Sequence, residues 1–230
     1  MKSFFNSIID LFYPRVCEAC GNSLMHNEDT VCMTCRYLLP KTGYEMSENN
    51  PLAQMFYGLV DFNAVTAEFF FSKSGRIQNL VHGLKYNGCK AAGFFLGEEL
   101  GKSISKSPFF TDIDCLVPVP LHKKKEFKRG YNQSFVIAQG VEKITGIPII
   151  DNVLFRKTYT ETQTKKNKEE RWENVKDVFE VKNAESLYGK HLLLIDDVLT
   201  TGATLIAAGT TLREISNVCI SVATTACAGN

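Results

Sequence analysis

Two groups of residues in this sequence have types and spacings suited to chemistry. The first is the stretch HLLLIDDVLTTGATL (191–205), in which an apolar run meets Asp196 and Asp197 and then a turn rich in threonine and glycine. The second is a pair of C-x-x-C motifs near the start of the chain. The first pattern suits a ligand that carries both an anionic group and hydroxyls, and the second suits a metal ion.

The run HLLLID predicts a buried strand that ends at the two aspartates, and GATLIAAGTTLREI predicts a helix after the turn. In open parallel sheets, ligands collect beyond the carboxyl ends of the strands. The first N–H groups of a helix have no intrahelical partner, so with the helix dipole and a glycine they form an anion site. We therefore predict that a phosphate binds to the turn formed by Val198, Leu199, Thr200, Thr201, Gly202, Ala203 and Thr204.

The carboxylates of Asp196 and Asp197 would repel that phosphate, but they accept hydrogen bonds well from ribose hydroxyls and can help to organise a magnesium ion. They would lie one sugar length from the phosphate. The alternative is a solvated turn with a threonine N-cap, which we would favour for an isolated Asp-Asp pair. The complete strand–turn–helix string favours a phosphorylated ribose instead.

The four-cysteine pattern consists of C-x2-C, eleven residues and C-x2-C, formed by Cys17, Cys20, Cys32 and Cys35. Each C-x-x-C turn can direct two sulfurs at one ion, which predicts a tetrahedral zinc site. Two disulfides or redox-active pairs are the alternatives, although a redox motif needs only one pair and a thioredoxin-like setting. Four sulfur ligands leave no open position, so the predicted zinc is structural.

Composition places the chain among soluble globular proteins, with 44% apolar residues and a net charge of +1. This charge gives no global argument for binding to nucleic acid or to a membrane. The apolar N-terminal stretch is shorter than the roughly 20 residues of a spanning helix and lacks a cleavage site. We predict a helix packed on its own domain, with a lipid-surface helix as the alternative, and a cytoplasmic protein without membrane insertion.

From about residue 59, short apolar strands alternate with helical stretches, which predicts an α/β fold with a mainly parallel sheet flanked by helices. The predicted organisation is a helix and four-cysteine module over residues 1–40, a connecting loop over 41–58, and the α/β domain over 59–230. The stretch LGEELGKS resembles a phosphate-binding Walker loop, but its glycine spacing is one residue short and it is predicted to be helical.

Two basic clusters follow predicted strands. The first comprises Lys123, Lys124, Lys125, Lys128 and Arg129. The second comprises Arg156, Lys157, Lys165, Lys166, Lys168 and Arg171, with Tyr159 and Trp172 among them. A lysine run is more often a solvated loop, but these segments could neutralise a pyrophosphate or bind single-stranded nucleic acid by pairing with phosphates and stacking on bases. The sequence leaves both uses open.

The string DDVLTTGAT resembles the PRPP-binding motif of type I phosphoribosyltransferases, and the wider chain resembles the ComF competence-protein family of that superfamily. The motifs that carry the wider resemblance span nearly the whole chain. They are the C-x-x-C pairs, LKY (84–86), VPVPLH (117–122), KRGYNQS (128–134), TQT (162–164) and RWENV (171–175).

The resemblance implies a type I phosphoribosyltransferase-like fold that binds PRPP with Mg²⁺. It implies that Asp196 and Asp197 are catalytic residues that bind the ribose 2′ and 3′ hydroxyls, and that the turn holds the 5′-phosphate. It also implies a pyrophosphate loop with the adjoining basic residues, formed by Pro118, Val119, Pro120, Lys128 and Arg129. By analogy, residues 157–168 would form a closing loop.

Three functions fit these expectations. The first is a phosphoribosyltransferase of unknown acceptor. The second is a PRPP-sensing or nucleotide-binding protein that handles single-stranded DNA in natural transformation, with competence-machinery proteins such as a helicase as partners. The third is a regulator that uses PRPP as an effector without turnover. No residue set in the sequence identifies an acceptor base.

Overall fold

The computed structural model describes residues 15–157 and 178–228. Its centre is a four-stranded parallel sheet with the order β1-β6-β5-β2. The predicted N-terminal helix and most of the second basic cluster lie outside the described residues. The strands of the sheet are β1 (Val65–Phe71), β2 (Cys115–Pro118), β5 (His191–Leu199) and β6 (Cys219–Ala228), and β3 (Leu154–Arg156) pairs antiparallel with β4 (Phe179–Val181).

Helices connect and flank these strands, so the predicted mainly parallel α/β fold is confirmed. They are α1 (Met33–Tyr37), α2 (Pro51–Gln54), α3 (Arg76–Tyr86), α4 (Lys90–Ile104), α5 (Lys123–Arg129), α6 (Gln133–Thr145) and α7 (Ala203–Leu212). Helix α6 begins where the Asn132 side chain accepts from the Ser134 N–H and ends at Gly146, whose φ of 73° is left-handed.

Apolar side chains cover both faces of the sheet. On one face, Leu192 and Leu194 of β5 belong to a core with α2, α7 and the β3–β4 pair. On the other face, Leu193 and Ile195 belong to a core with α4 and α6. This alternation follows from the period of two in a strand, and burial on both sides explains why β5 is a continuous apolar run. None of the described helices is long and apolar enough to cross a bilayer.

Helices α4 and α6 touch through glycines. A Cβ atom on Gly97 would lie 2.1 Å from the Ile137 carbonyl oxygen, and one on Gly140 would lie 2.3 Å from the Phe94 carbonyl oxygen. The glycines of LGEELGKS therefore serve helix packing, as expected for a stretch that is not a phosphate loop. This close packing places the start of α6 next to the end of β5.

The connecting stretch 41–58 contains helix α2, where its turn-forming residues predict a loop. The Asn50 side-chain oxygen accepts from the N–H groups of Leu52 and Ala53, and Pro51 takes the first helical position. Asn-Pro is thus a helix start here rather than a turn. The Asn50 side chain also donates to the Val65 carbonyl over 2.8 Å, which ties this stretch to β1.

Candidate functional site

The aspartate pair lies within β5, and the expectation that the strand ends at Asp196 is wrong. Strand β5 continues to Leu199, with Asp196 paired to Thr224 and Leu199 paired to Cys227 of β6. The continuation arises because β6 runs on to Ala228 and supplies partners for these positions. The carboxylates still lie at the carboxyl-terminal part of the sheet, immediately before the turn.

Asp196 is held by two donors on the same carboxylate oxygen. Its Oδ1 accepts from the Ser134 hydroxyl over 3.0 Å and from the Asp197 N–H over 2.8 Å. Burial and, to a smaller extent, the charge of Asp197 raise the pKa of Asp196 to about 7, against the opposing effect of these hydrogen bonds. Near neutral pH Asp196 is therefore partly protonated.

Asp197 is paired with a lysine from the first half of the chain. Its Oδ2 lies 2.9 Å from Nζ of Lys85, and its Oδ1 accepts from the Val198 N–H over 2.6 Å. The Thr225 hydroxyl of β6 donates to the Asp197 carbonyl over 2.6 Å. Neither Lys85 nor Ser134 is predicted as a site residue from the sequence, although both lie within motifs of the family resemblance.

The turn after β5 has the backbone expected of a close-approach site. Gly202 has a φ of 74°, and a Cβ atom at this position would lie 2.9 Å from the Phe56 ring. Only glycine fits there without strain. Gly202 is also the N-terminal cap of α7 and makes no side-chain capping bond, so the alternative with a threonine cap is wrong. Thr200 and Thr201 of the turn are exposed, and the first N–H groups of a helix such as α7 have no intrahelical partner.

The predicted pyrophosphate loop is joined to β5 and α6. The Val119 N–H donates to the Ile195 carbonyl over 2.8 Å, and the Asn132 side chain donates to the Val119 carbonyl over 3.0 Å. This loop borders a cavity of about 800 Å³. The residues lining the cavity come from β2, α5, α6 and the β3–β4 pair and include Pro118, Pro120, Lys123, Tyr131, Phe155 and Arg156.

The basic residues of the first cluster form helix α5 rather than a solvated loop. The Arg129 guanidinium lies 5.7 Å from the centre of the Tyr86 ring, which brings this residue close to the Lys85 segment. Phe127 on the same helix is 92% exposed. Of the second cluster, Arg156 and Lys157 are described, and burial lowers the pKa of Arg156 although the charge of Asp196 opposes the shift.

The four cysteines of the N-terminal module form one cluster. The Sγ atoms of Cys17, Cys20, Cys32 and Cys35 all lie within 4.8 Å of one another. A tetrahedral zinc–thiolate site with bonds of about 2.3 Å places its sulfurs about 3.8 Å apart, and Cys20 Sγ is 4.0 Å from Cys32 Sγ. These residues therefore fit a structural zinc ion, whereas His26, which lies between the two C-x-x-C motifs, is exposed.

With this geometry established, the chain can be compared with known proteins. Residues 133–229 match the family described as the phosphoribosyl transferase domain. Over 103 residues it is 31% identical to competence protein F of Haemophilus influenzae, covering 44% of this chain and 45% of that protein. Over 99 residues it is 39% identical to competence protein ComFC of Bacillus subtilis, covering 43% of this chain and 38% of that protein.

These similarities and the cysteine cluster confirm the resemblance to the ComF family. The matches cover less than half the length of both relatives. The adenine phosphoribosyltransferase of Leishmania tarentolae is a similar solved structure, with 14% identity and a TM-score of 0.38 over 79% of this chain and 77% of that chain. The match to the phosphoribosyl transferase domain begins at Gln133, so Lys85 and the loop 118–120 lie outside it.

Proposed function

We propose that the chain binds PRPP and transfers its phosphoribosyl group to an acceptor. The observation that carries the proposal is the joining of two adjacent carboxylates, at Asp196 and Asp197, to a left-handed glycine turn at the start of α7. Carboxylates accept from hydroxyls, and helix N-termini bind phosphates. A 5-phosphorylated ribose carries both kinds of group on one small molecule.

In the proposed reaction, a nucleophile forms a bond to the anomeric carbon while the bond from that carbon to pyrophosphate breaks. The chain contributes positioning and electrostatic stabilisation. Asp196 and Asp197 hold the ribose hydroxyls and stabilise the positive charge that develops on the ring. Residues Pro118, Val119 and Pro120, with the basic side chains of Lys128 and Arg129, receive the departing pyrophosphate.

Magnesium fits the donor chemistry of this site, because it prefers oxygen ligands and is commonly bound by one or two carboxylates together with substrate phosphates. Asp196 and Asp197 are the residues that would help to hold it. The bound ion would neutralise charge on the pyrophosphate as it leaves.

Calorimetry with PRPP and Mg²⁺ tests this proposal. We expect the wild type to bind and Asp197→Asn to bind about 10- to 100-fold more weakly, because hydrogen bonds to charged groups contribute about 1.5–3 kcal/mol. Asp61→Asn is the matched control, since this carboxylate is 83% exposed and is paired with Arg213. A wild type that does not bind PRPP would contradict the proposal.

Release of pyrophosphate against a panel of nucleobases then separates transfer from sensing. A transferase releases pyrophosphate with at least one acceptor. Binding without release against the whole panel would instead support the effector or sensor function.

A second candidate function is the binding of single-stranded DNA, which the exposure of Phe127 on the basic helix α5 favours. Exposed aromatic side chains among lysines stack on bases while the lysines pair with phosphates. The names of the two bacterial relatives refer to competence, so partners from the competence machinery belong to this candidate.

Fluorescence anisotropy with a labelled oligonucleotide tests the DNA candidate. Phe127→Ala should weaken binding about 5- to 100-fold, since stacking contributes about 1–3 kcal/mol per base. Alanine at Lys123, Lys124 and Lys125 should reduce the salt dependence of binding. Tyr188→Ala alters an exposed aromatic outside α5 and serves as the control. An affinity that does not depend on salt would count against the candidate.

We also propose that the cysteine cluster binds one structural zinc and that the chain acts in the cytoplasm, where thiols stay reduced.

A further inference from the structure

The Lys85–Asp197 ion pair joins two distant parts of the chain within the proposed ribose site. Lys85 lies in the last turn of α3, and its Nζ is 2.9 Å from Asp197 Oδ2. The two side chains are only 24% and 15% exposed. Water screens such a pair less than a surface pair, so the interaction is strong enough to orient a carboxylate.

We propose that Lys85 is a positioning residue of the ribose site, which holds the Asp197 carboxylate in place to accept a ribose hydroxyl. The inference rests on the proposed function. It adds a residue from outside the matched domain to a site that the sequence assigns to the stretch 196–204.

A nearby cation is needed to offset the electrostatic repulsion between two carboxylates that lie this close together. Asp196 and Asp197 repel each other, and the Asp196 side chain is held by neutral donors, the Ser134 hydroxyl and the Asp197 N–H. The described basic groups near the pair are Lys85 from α3 and Arg156 from β3. Lys85 makes a direct ion pair, so it offsets the repulsion at Asp197 most strongly.

The ion pair leaves Asp197 able to bind a ligand. Each carboxylate oxygen can accept two hydrogen bonds. The Oδ1 atom takes one from the Val198 N–H, and Oδ2 takes one from Lys85. A ribose hydroxyl can therefore donate to Asp197 while Lys85 stays in place.

Two hydrogen bonds to other parts of the chain anchor helix α3, which carries Lys85. The Tyr131 hydroxyl donates to the carbonyl oxygen of Leu84, a fully buried residue of the same helical turn. Nearer the start of α3, the Asn79 side chain donates to the carbonyl of Ala19 over 2.8 Å. Ala19 lies within the first C-x-x-C turn. Lys85 thus projects from an anchored helix, unlike a lysine on a solvated surface, and can transmit that anchoring to Asp197.

Calorimetry with ribose 5-phosphate and with inorganic phosphate tests the inference. Lys85→Met should weaken the binding of ribose 5-phosphate about tenfold, the loss expected when one charge-assisted contact fails, and Lys85→Arg should restore most of it. The affinity for inorganic phosphate should stay unchanged, because Lys85 acts through Asp197 on a hydroxyl. In an Asp197→Asn background, Lys85→Met should have no further effect.

Lys143→Met is the control, because Lys143 also forms a direct ion pair, over 2.7 Å with Glu98 of α4, away from the site. A loss of phosphate affinity in Lys85→Met would overturn the inference, since it would mean direct phosphate contact or general damage. Unchanged binding of ribose 5-phosphate would overturn it as well. A wild type that binds phosphate but no ribose 5-phosphate would instead refute the proposed function, and the inference with it.

Discussion

The cysteine cluster and the proposed ribose site are built in opposite ways. The cluster takes its four sulfurs from a short stretch, Cys17 to Cys35, in which loop spacing alone brings the ligands together. The ribose site takes Lys85, Ser134 and the aspartate pair from three distant segments. Spacing in the sequence is therefore enough to identify a local site, whereas a site assembled across a sheet depends on strand order and helix packing.

The two regions also differ in what their polar groups do to stability. Metal binding by the cluster would contribute directly to folding, because the site does not exist in the unfolded chain. Asp196 has the opposite effect, since burial beside a second carboxylate raises its pKa and makes its charged form unfavourable. A group kept at such a disadvantage is typical of a functional site.

The largest expected effect comes from breaking the cluster. Cys20 is exposed, so Cys20→Ser removes a ligand with little loss of packing. We expect zinc to fall from about one per chain and the thermal midpoint to fall by on the order of 10 °C, given the large binding free energy of structural zinc and the size of the chain. Metal analysis and thermal unfolding measure both, with Cys219→Ser as the control outside the cluster. A wild type that is folded without metal would show that the cysteine cluster does not depend on zinc.

The next effect concerns the turn at Gly202. Gly202→Ala places a Cβ atom 2.9 Å from the Phe56 ring and forces a left-handed backbone on alanine. We expect a loss of about 2–3 kcal/mol in urea unfolding, together with weaker binding of ribose 5-phosphate. Gly146→Ala is a matched control with a φ of 73° and open space around the new atom, for which we expect about 1 kcal/mol. Equal losses would show that the Phe56 contact contributes nothing.

An effect of opposite sign is expected at Asp196. The pKa of this acid is raised from an ordinary value near 4 to about 7, so its contribution to stability is full below pH 4 and is lost as the pH rises to 7. Asp196→Asn avoids this loss. We expect the variant to gain on the wild type between pH 4 and 8, by up to about 4 kcal/mol at the upper end, while losing affinity for ribose 5-phosphate.

Denaturant unfolding at a series of pH values measures this gain, with Asp61→Asn as the exposed control. A difference from the wild type that stays constant with pH would mean that the Asp196 carboxylate is not destabilised by burial. The proposed ribose site would then not lower the free energy of unfolding, in contrast to the expectation stated above.

The smallest effect is expected at a surface ion pair. Arg213 and Asp61 lie 3.1 Å apart with side chains that are 42% and 83% exposed. Arg213→Ala should change the free energy of unfolding by less than about 0.5 kcal/mol, because water and salt screen the pair. A loss above 1 kcal/mol in urea unfolding would show that exposure is a poor guide to the strength of ion pairs in this protein.

The sequence was sufficient to predict features that depend on neighbouring residues. The parallel α/β fold, the cysteine cluster and the strand–turn–helix around Asp196 all follow from local patterns. The roles of the individual site residues remain predictions, because the fold brings them together without showing what they bind.

The features that could not be predicted depend on partners distant in the chain. Strand β5 runs past Asp196 because β6 happens to be long enough to pair with it. Lys85 reaches Asp197 only because α3 packs beside the end of β5, a relation that no spacing in the sequence encodes. The LKY motif was the available signal, and it gives no information about the partner of its lysine.

The position of β6 has a consequence for the order in which the molecule can assemble. This last strand of the sheet lies between β1 and β5, so β1 has no neighbour in the sheet until β6 has been synthesised. Thr225 of β6 also donates the hydrogen bond to the Asp197 carbonyl. A nascent chain on the ribosome could therefore form the cysteine module early, but it would complete the ribose site only after translation has passed residue 225.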